Sequence, residues 1–168
     1  MKNDVVQETF KFIVLILAQV LLFNRLVLFG HLVAYVYVVF LILYPVKERR
    51  NLFLFISFLL GLAMDMFMNS GGIHATACLL TAYFRPKLLR FVYGVSFEHQ
   101  TIKVALSPIS QLFSITILIV LVHHSVLFFL EAFSINLIFY ALKKTILTGI
   151  FTTVLSLILI TLFSKQKR

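Results

Sequence analysis

The sequence is poor in the residue types that most protein chemistry requires. Its single cysteine, Cys78, sits in an apolar run, so no internal disulfide can form. No Cys/His spacing matches a zinc site. Only six residues are acidic. Paired catalytic carboxylates are missing, as are the nucleophile elbow, the phosphate-binding loop and the zinc-protease helix motif. An intramembrane protease of the rhomboid kind would need motif residues that this chain does not have. Long polar stretches are also absent. The longest cytoplasmic break between apolar runs is about ten residues, too short to fold around a core of its own. These absences predict a protein that is not an enzyme and that holds no cofactor or metal.

What remains is apolar. Of 168 residues, 61% are hydrophobic, and segments such as 52–64 carry no charge at all. A bilayer crossing takes about 20 apolar residues, which leaves room for roughly six crossings. The sequence predicts an all-α integral membrane protein, a single polytopic domain over 1–168, with spans near 5–29, 32–46, 52–68, 74–89, 104–121 and 145–163. The first run is too long for the apolar core of a signal peptide and no small-residue cleavage site follows it, so it reads as an anchor. Residues 122–144 leave two readings open. They extend the flanking helices past the headgroups, or they lie along the interface as an amphipathic piece.

The net charge of +9 does not predict nucleic-acid binding, because the cations cluster at the ends of apolar runs. Placing the N-terminus in the cytoplasm puts twelve cations inside: Lys2, Lys11, Lys47, Arg49, Arg50, Arg85, Lys87, Arg90, Lys103, Lys165, Lys167 and Arg168. Three fall outside, namely Arg25, Lys143 and Lys144. Such a bias orients a membrane protein, and six spans keep both termini cytoplasmic. Five spans would spoil the partition.

Few residues are candidates for chemistry. Asp65 lies at the end of the third span, just before Asn69-Ser70-Gly71-Gly72. A carboxylate there needs a partner or water. It is either an ion or substrate ligand or a buried cap on the next helix, whose free backbone N–H groups face it. The lack of a second intramembrane carboxylate favours the cap. Gly71 and Gly72 permit a tight reversal, and Ser70 can cap the helix that follows. His74 reads as a hydrogen-bonded helix-start residue that can also pair with Asp65. His123 and His124 are adjacent and so point about 100° apart on a helix, which rules out joint chelation. Ser107, Gln111 and Ser114 form one polar stripe. Thr145, Gly149, Thr152, Thr153 and Ser156 form another, and the two are expected to pack the fifth and sixth spans together.

From Gly61-Leu-Ala-Met-Asp65 through Asn69-Ser70-Gly71-Gly72-Ile-His74-Ala75 to Thr81-Ala82-Tyr83, the chain resembles the rod shape-determining protein MreD family. Gly61, Asp65, Gly72, Ala82 and Tyr83 are the matching positions. Tyr44-Pro45 before a basic cluster is also similar, as are the length and the six-span plan. The turn after Asp65 is one residue shorter than the family pattern, and Leu32-Val33-Ala34 stands where a proline often opens the second span.

The resemblance implies a fold similar to the six-helix substrate-binding subunits of energy-coupling-factor transporters. It also implies residence in the bacterial cytoplasmic (inner) membrane. The implied partner is MreC, a protein with one membrane helix, and through it MreB filaments and the RodA glycosyltransferase with its transpeptidase. The expected function is a non-enzymatic scaffold for cell-wall elongation. The alternative is a vitamin-type binding subunit of a transporter. That reading needs Asp65, His74, Asn24 and Gln19 to converge on a cavity, whereas along the sequence the polar groups look scattered. A proton-coupled carrier would need a carboxylate network that is not there.

Overall fold

The computed structural model describes residues 2–28, 32–46, 49–94 and 102–165. Lys47, residues 95–101 and the terminal cations Lys167 and Arg168 lie outside them. Six α-helices follow one another: α1 (Lys2–Ala18), α2 (Val38–Leu43), α3 (Arg50–Met68), α4 (Ile73–Tyr93), α5 (Ile109–Ala132) and α6 (Ile138–Lys165). The described residues include four helices long and apolar enough to cross a membrane, over Val6–Phe23, Arg50–Met68, Ile109–Ala132 and Ile135–Ser164. The protein is all-α, and its long apolar helices suit a bilayer. The 21-residue α4 is as long as the others but carries His74, Arg85, Lys87 and Arg90.

Helices α3, α4, α5 and α6 pack as sequential neighbours. α3 ends where Asn69 turns left-handed (φ 53°), and Gly71 and Gly72 complete the reversal with φ of 63° and 96°. α5 begins one residue after Pro108 rather than near 104, because proline cannot donate to a preceding turn and biases Ser107 to an extended backbone (ψ 156°). Of the two readings of 122–144, helix extension holds. α5 runs to Ala132 and α6 starts at Ile138, across a 3₁₀ turn at Ile135–Leu137.

The expected helical span over 32–46 needs correction. Only Val38–Leu43 is α-helical. α1 widens into a π-turn at Gln19–Phe23, closed by the Asn24 N–H on the Gln19 carbonyl at 2.8 Å. A two-residue antiparallel ladder follows, pairing Val27 with Val33 and Leu28 with Leu32. The chain then enters the bundle non-helically over 34–37. The run Val33-Ala34-Tyr35-Val36-Tyr37-Val38-Val39 is almost wholly β-branched or aromatic, and such residues lose rotamer freedom in a helix.

This irregular segment is the centre of the molecule. From Ala34 to Ile42 no residue is more than 7% exposed. α2 touches α1, α4, α5 and α6. By contrast α1 is peripheral, with Phe10 at 67% exposure. In lipid, burying an apolar side chain gains little over leaving it in hydrocarbon, so close packing and hydrogen bonds must hold such a core. The polar residues in the interior therefore matter most.

Candidate functional site: a polar network inside the bundle

Asp65 is held at the far end of the α3–α4 hairpin. Its carboxylate accepts hydrogen bonds from the Ser70 hydroxyl, the His74 N–H (2.9 Å) and the Ala75 N–H (2.9 Å). The first-turn amides of α4 are thus capped by a side chain of the preceding helix, where the helix dipole also favours an anion. Gly61, one helical turn before Asp65, is the point of closest approach. A Cβ there would stand 2.4 Å from the Ala75 Cα and from the His74 carbonyl oxygen. Gly72 occupies the cap position of α4 and accepts the Thr76 hydroxyl at 2.9 Å. Ala82 is buried, while Tyr83 faces outward beneath the Arg50 guanidinium, 5.1 Å from its ring centroid.

The imidazole of His74 turns away from Asp65, so the expected side-chain pairing is replaced by a backbone one. Its Nδ1 lies 2.7 Å from the Tyr37 hydroxyl, which also meets His123 Nε2 at 3.0 Å. The hydroxyl can donate to one ring and accept from the other. Cys78 Sγ is 3.8 Å from the same His123 nitrogen. His124 points elsewhere, as adjacent helical residues must. Its Nδ1 donates to the Val120 carbonyl at 2.9 Å, and its Nε2 meets the Thr152 hydroxyl at 3.1 Å. Thr152 Oγ1 in turn accepts the Tyr35 N–H at 3.1 Å, and the Tyr35 ring packs against His74, His124 and Phe128. Among the described residues no group of His, Cys, Asp and Glu side chains is arranged to hold a metal.

Gln19 completes the network from the π-turn of α1. Its carbonyl oxygen accepts the N–H of Val36 at 2.6 Å, and its amide donates to the Ala34 carbonyl (2.9 Å) and to Asn24 Oδ1 (2.8 Å). One amide side chain therefore serves the Ala34 carbonyl and the Val36 N–H, while Thr152 serves the Tyr35 N–H between them. Irregular backbone at this depth survives only when protein groups satisfy it in this way. At the opposite end Arg85 is 3% exposed. It donates to the carbonyls of Ile42 (3.0 Å) and Tyr44, and lies over Phe53 at 5.0 Å. Counted in the sequence among the cytoplasmic-side cations, it is buried and caps the end of α2.

The two packing stripes fare differently. Gly149 faces α5, with Val120 3.7 Å from its would-be Cβ, and Thr152, Thr153 and Ser156 are buried. The other stripe is not part of that seam. Ser107 precedes α5 and meets the Tyr93 hydroxyl at 3.0 Å. Gln111 and Ser114 line a shallow groove with Phe91 and Val92, at the end of α4. The spacing was helical, but it marked the α4 side of α5. Thr116, His123 and His124 are the buried polar residues of α5, and sequence spacing did not reveal their burial.

Tyr35, Tyr37, His123, His124 and Thr152 thus converge with Asp65, His74, Gln19 and Asn24, although they look scattered along the chain. Many of their hydrogen-bonding atoms meet one another or the backbone, while His123 Nδ1 is buried without a hydrogen-bond partner. No protein-family model, curated protein or solved structure matches the chain.

Proposed function

We propose that this protein is a non-catalytic scaffold of the bacterial cell-elongation machinery, related to the MreD family. In this reading it crosses the cytoplasmic membrane six times, with both termini inside, and binds an MreC-like protein through its membrane helix. One observation carries the proposal. Four of the five positions that resemble the family, Gly61, Asp65, Gly72 and Ala82, serve the locking of one hairpin, by close approach, capping, reversal and burial, while the fifth, Tyr83, faces outward. Motif residues used this way stiffen a platform for a partner.

Six crossings are supported by the run of alternating helices and by the second segment. An extended residue advances about 3.3 Å against 1.5 Å in a helix, so fifteen partly extended residues reach nearly as far as a full helix. His74 and Arg85, which lower the apolar character of α4, are both buried against protein. The alternative of a transporter binding subunit asks for Asp65, His74, Asn24 and Gln19 to face a cavity. Here they bond to the protein itself.

Depletion in a rod-shaped bacterium tests the proposal. Cells are expected to become round, and gentle-detergent purification to recover a protein with a single membrane helix in stoichiometric amount. Normal shape with a vitamin-uptake defect would replace this reading with the transporter one. A tag on the carboxyl tail that is accessible from outside the cell would end the six-span arrangement.

A further inference from the structure

We infer that the end of the bundle where α3 begins binds an anionic phospholipid, its headgroup at Arg49 and Arg50 and its acyl chain along the outer face of α3. The inference rests on a membrane location and not on the scaffold role. An open groove of about 640 Å³ is lined by Arg49, Arg50, Asn51, Leu52 and Phe55. The Arg50 guanidinium carbon lies over the Tyr83 ring, 5.1 Å from its centroid. Among the described residues no hydrogen bond or ion pair takes the guanidinium N–H donors, which suit phosphate oxygens.

More positive charge stands at the same level. The contact of Gly61 with Ala75 fixes the antiparallel register of α3 and α4. Eleven residues from that contact along each helix come to Arg50 and Pro86, so exposed Lys87 and Arg90 share the ledge. The described acidic side chains do not neutralise it. Glu8 pairs with Lys11, Glu131 pairs with Lys144, and Asp65 lies at the other end of α3. The first amides of α3 have no side-chain cap and add to the positive potential.

What turns an anion site into a lipid site is the surface below it. Leu52, Phe55, Leu59, Leu62 and Met66 repeat every three or four residues along α3, and all are exposed. This continuous apolar strip leads from the groove toward the far end of the helix. A phosphate head over a hydrocarbon strip matches a phospholipid, whereas a soluble phosphate would leave the strip unused. Basic pockets between helices at the cytoplasmic side recognise lipids in this manner.

The test uses the purified, delipidated full chain in detergent. It is titrated with dioleoyl phosphatidylglycerol or dioleoyl phosphatidylcholine, and binding is read by native mass spectrometry and thermal shift. The anionic lipid is expected to bind and raise the melting temperature, and the zwitterionic lipid to do neither. Each arginine removed should weaken binding about fivefold, so Arg49→Gln with Arg50→Gln costs roughly 25-fold. Arg25→Gln, at the opposite end, should cost nothing. Raising the salt with the unaltered protein should weaken binding too, a readout that does not depend on any variant folding. Equal binding of the two lipids, a salt-independent affinity, or an unchanged double variant would overturn the inference. So would saturation by millimolar inorganic phosphate with the same thermal shift, which would leave an anion site with no lipid.

Discussion

The α3–α4 hairpin and the segment from Gln19 to Leu43 solve the same problem by opposite means. Both bury backbone where water is absent. The hairpin satisfies its backbone almost wholly within two helices and needs help only at the turn, where one carboxylate serves the orphan amides of α4. The other segment departs from regular structure in the middle of the bundle. It depends on hydrogen bonds from Gln19 and Thr152, the latter 117 residues away from Tyr35. A regular hairpin is held by shape, and an irregular insertion by a few named atoms.

This contrast can be broken experimentally, and the largest effect is expected on the side held by shape. Gly61→Val places side-chain atoms where the α4 backbone already is, since even a Cβ would lie 2.4 Å from Ala75 Cα. Overpacking costs about 3 kcal/mol at the upper end of its usual range, and here the obstacle is backbone, so we expect loss of monodisperse protein on gel filtration. If Gly61→Val folds normally, the helices are not held by close approach.

On the other side, Gln19→Leu leaves the Ala34 carbonyl and the Val36 N–H without their partner. Each buried group left unpaired costs about 1–3 kcal/mol. The variant should melt well below the parent in detergent, with helix content little changed because the affected residues are not helical. An unchanged melting temperature would mean that packing alone holds the insertion.

Asp65→Asn sharpens the comparison at the turn. Three donors converge on two carboxylate oxygens, and an amide offers one acceptor and presents its NH₂ to a donor. A loss of about 1–2 kcal/mol is expected, less than for Gln19→Leu, with the hairpin still formed. Complete loss of folding would show that the charge matters beyond capping. Gly71→Ala should have the smallest effect. Nothing lies within 4 Å of its would-be Cβ, so only the left-handed φ of 63° opposes the substitution, at about 1 kcal/mol. Two glycines ten residues apart should thus differ severalfold in cost, which thermal melts of the two variants would check.

The same contrast explains what could be read from the sequence. α3 and the reversal at 69–72 were legible because apolar length, a polar break and paired glycines are local signals. The cap on α4 was legible too, since Asp65 stands next to the amides it serves. Residues 34–37 were not, because what replaces their helical hydrogen bonds comes from Gln19 and Thr152, and no local pattern links them. The separation of His123 from His124 was predictable from helix geometry. Their joining of Tyr37 and Thr152 was not, for the partners lie on other elements. Gln19 did carry a signal, as an amide deep in the first apolar run, where a polar residue needs a reason.

Arg85 sets an order on biogenesis. Its guanidinium meets carbonyls of residues 41 and 43 positions earlier in the chain. While the ribosome is still making α3, the close of α2 therefore has no cation to receive it. The carbonyls of Ile42 and Tyr44 gain this partner only when the fourth helix has been made. Only then can the centre of the bundle shut.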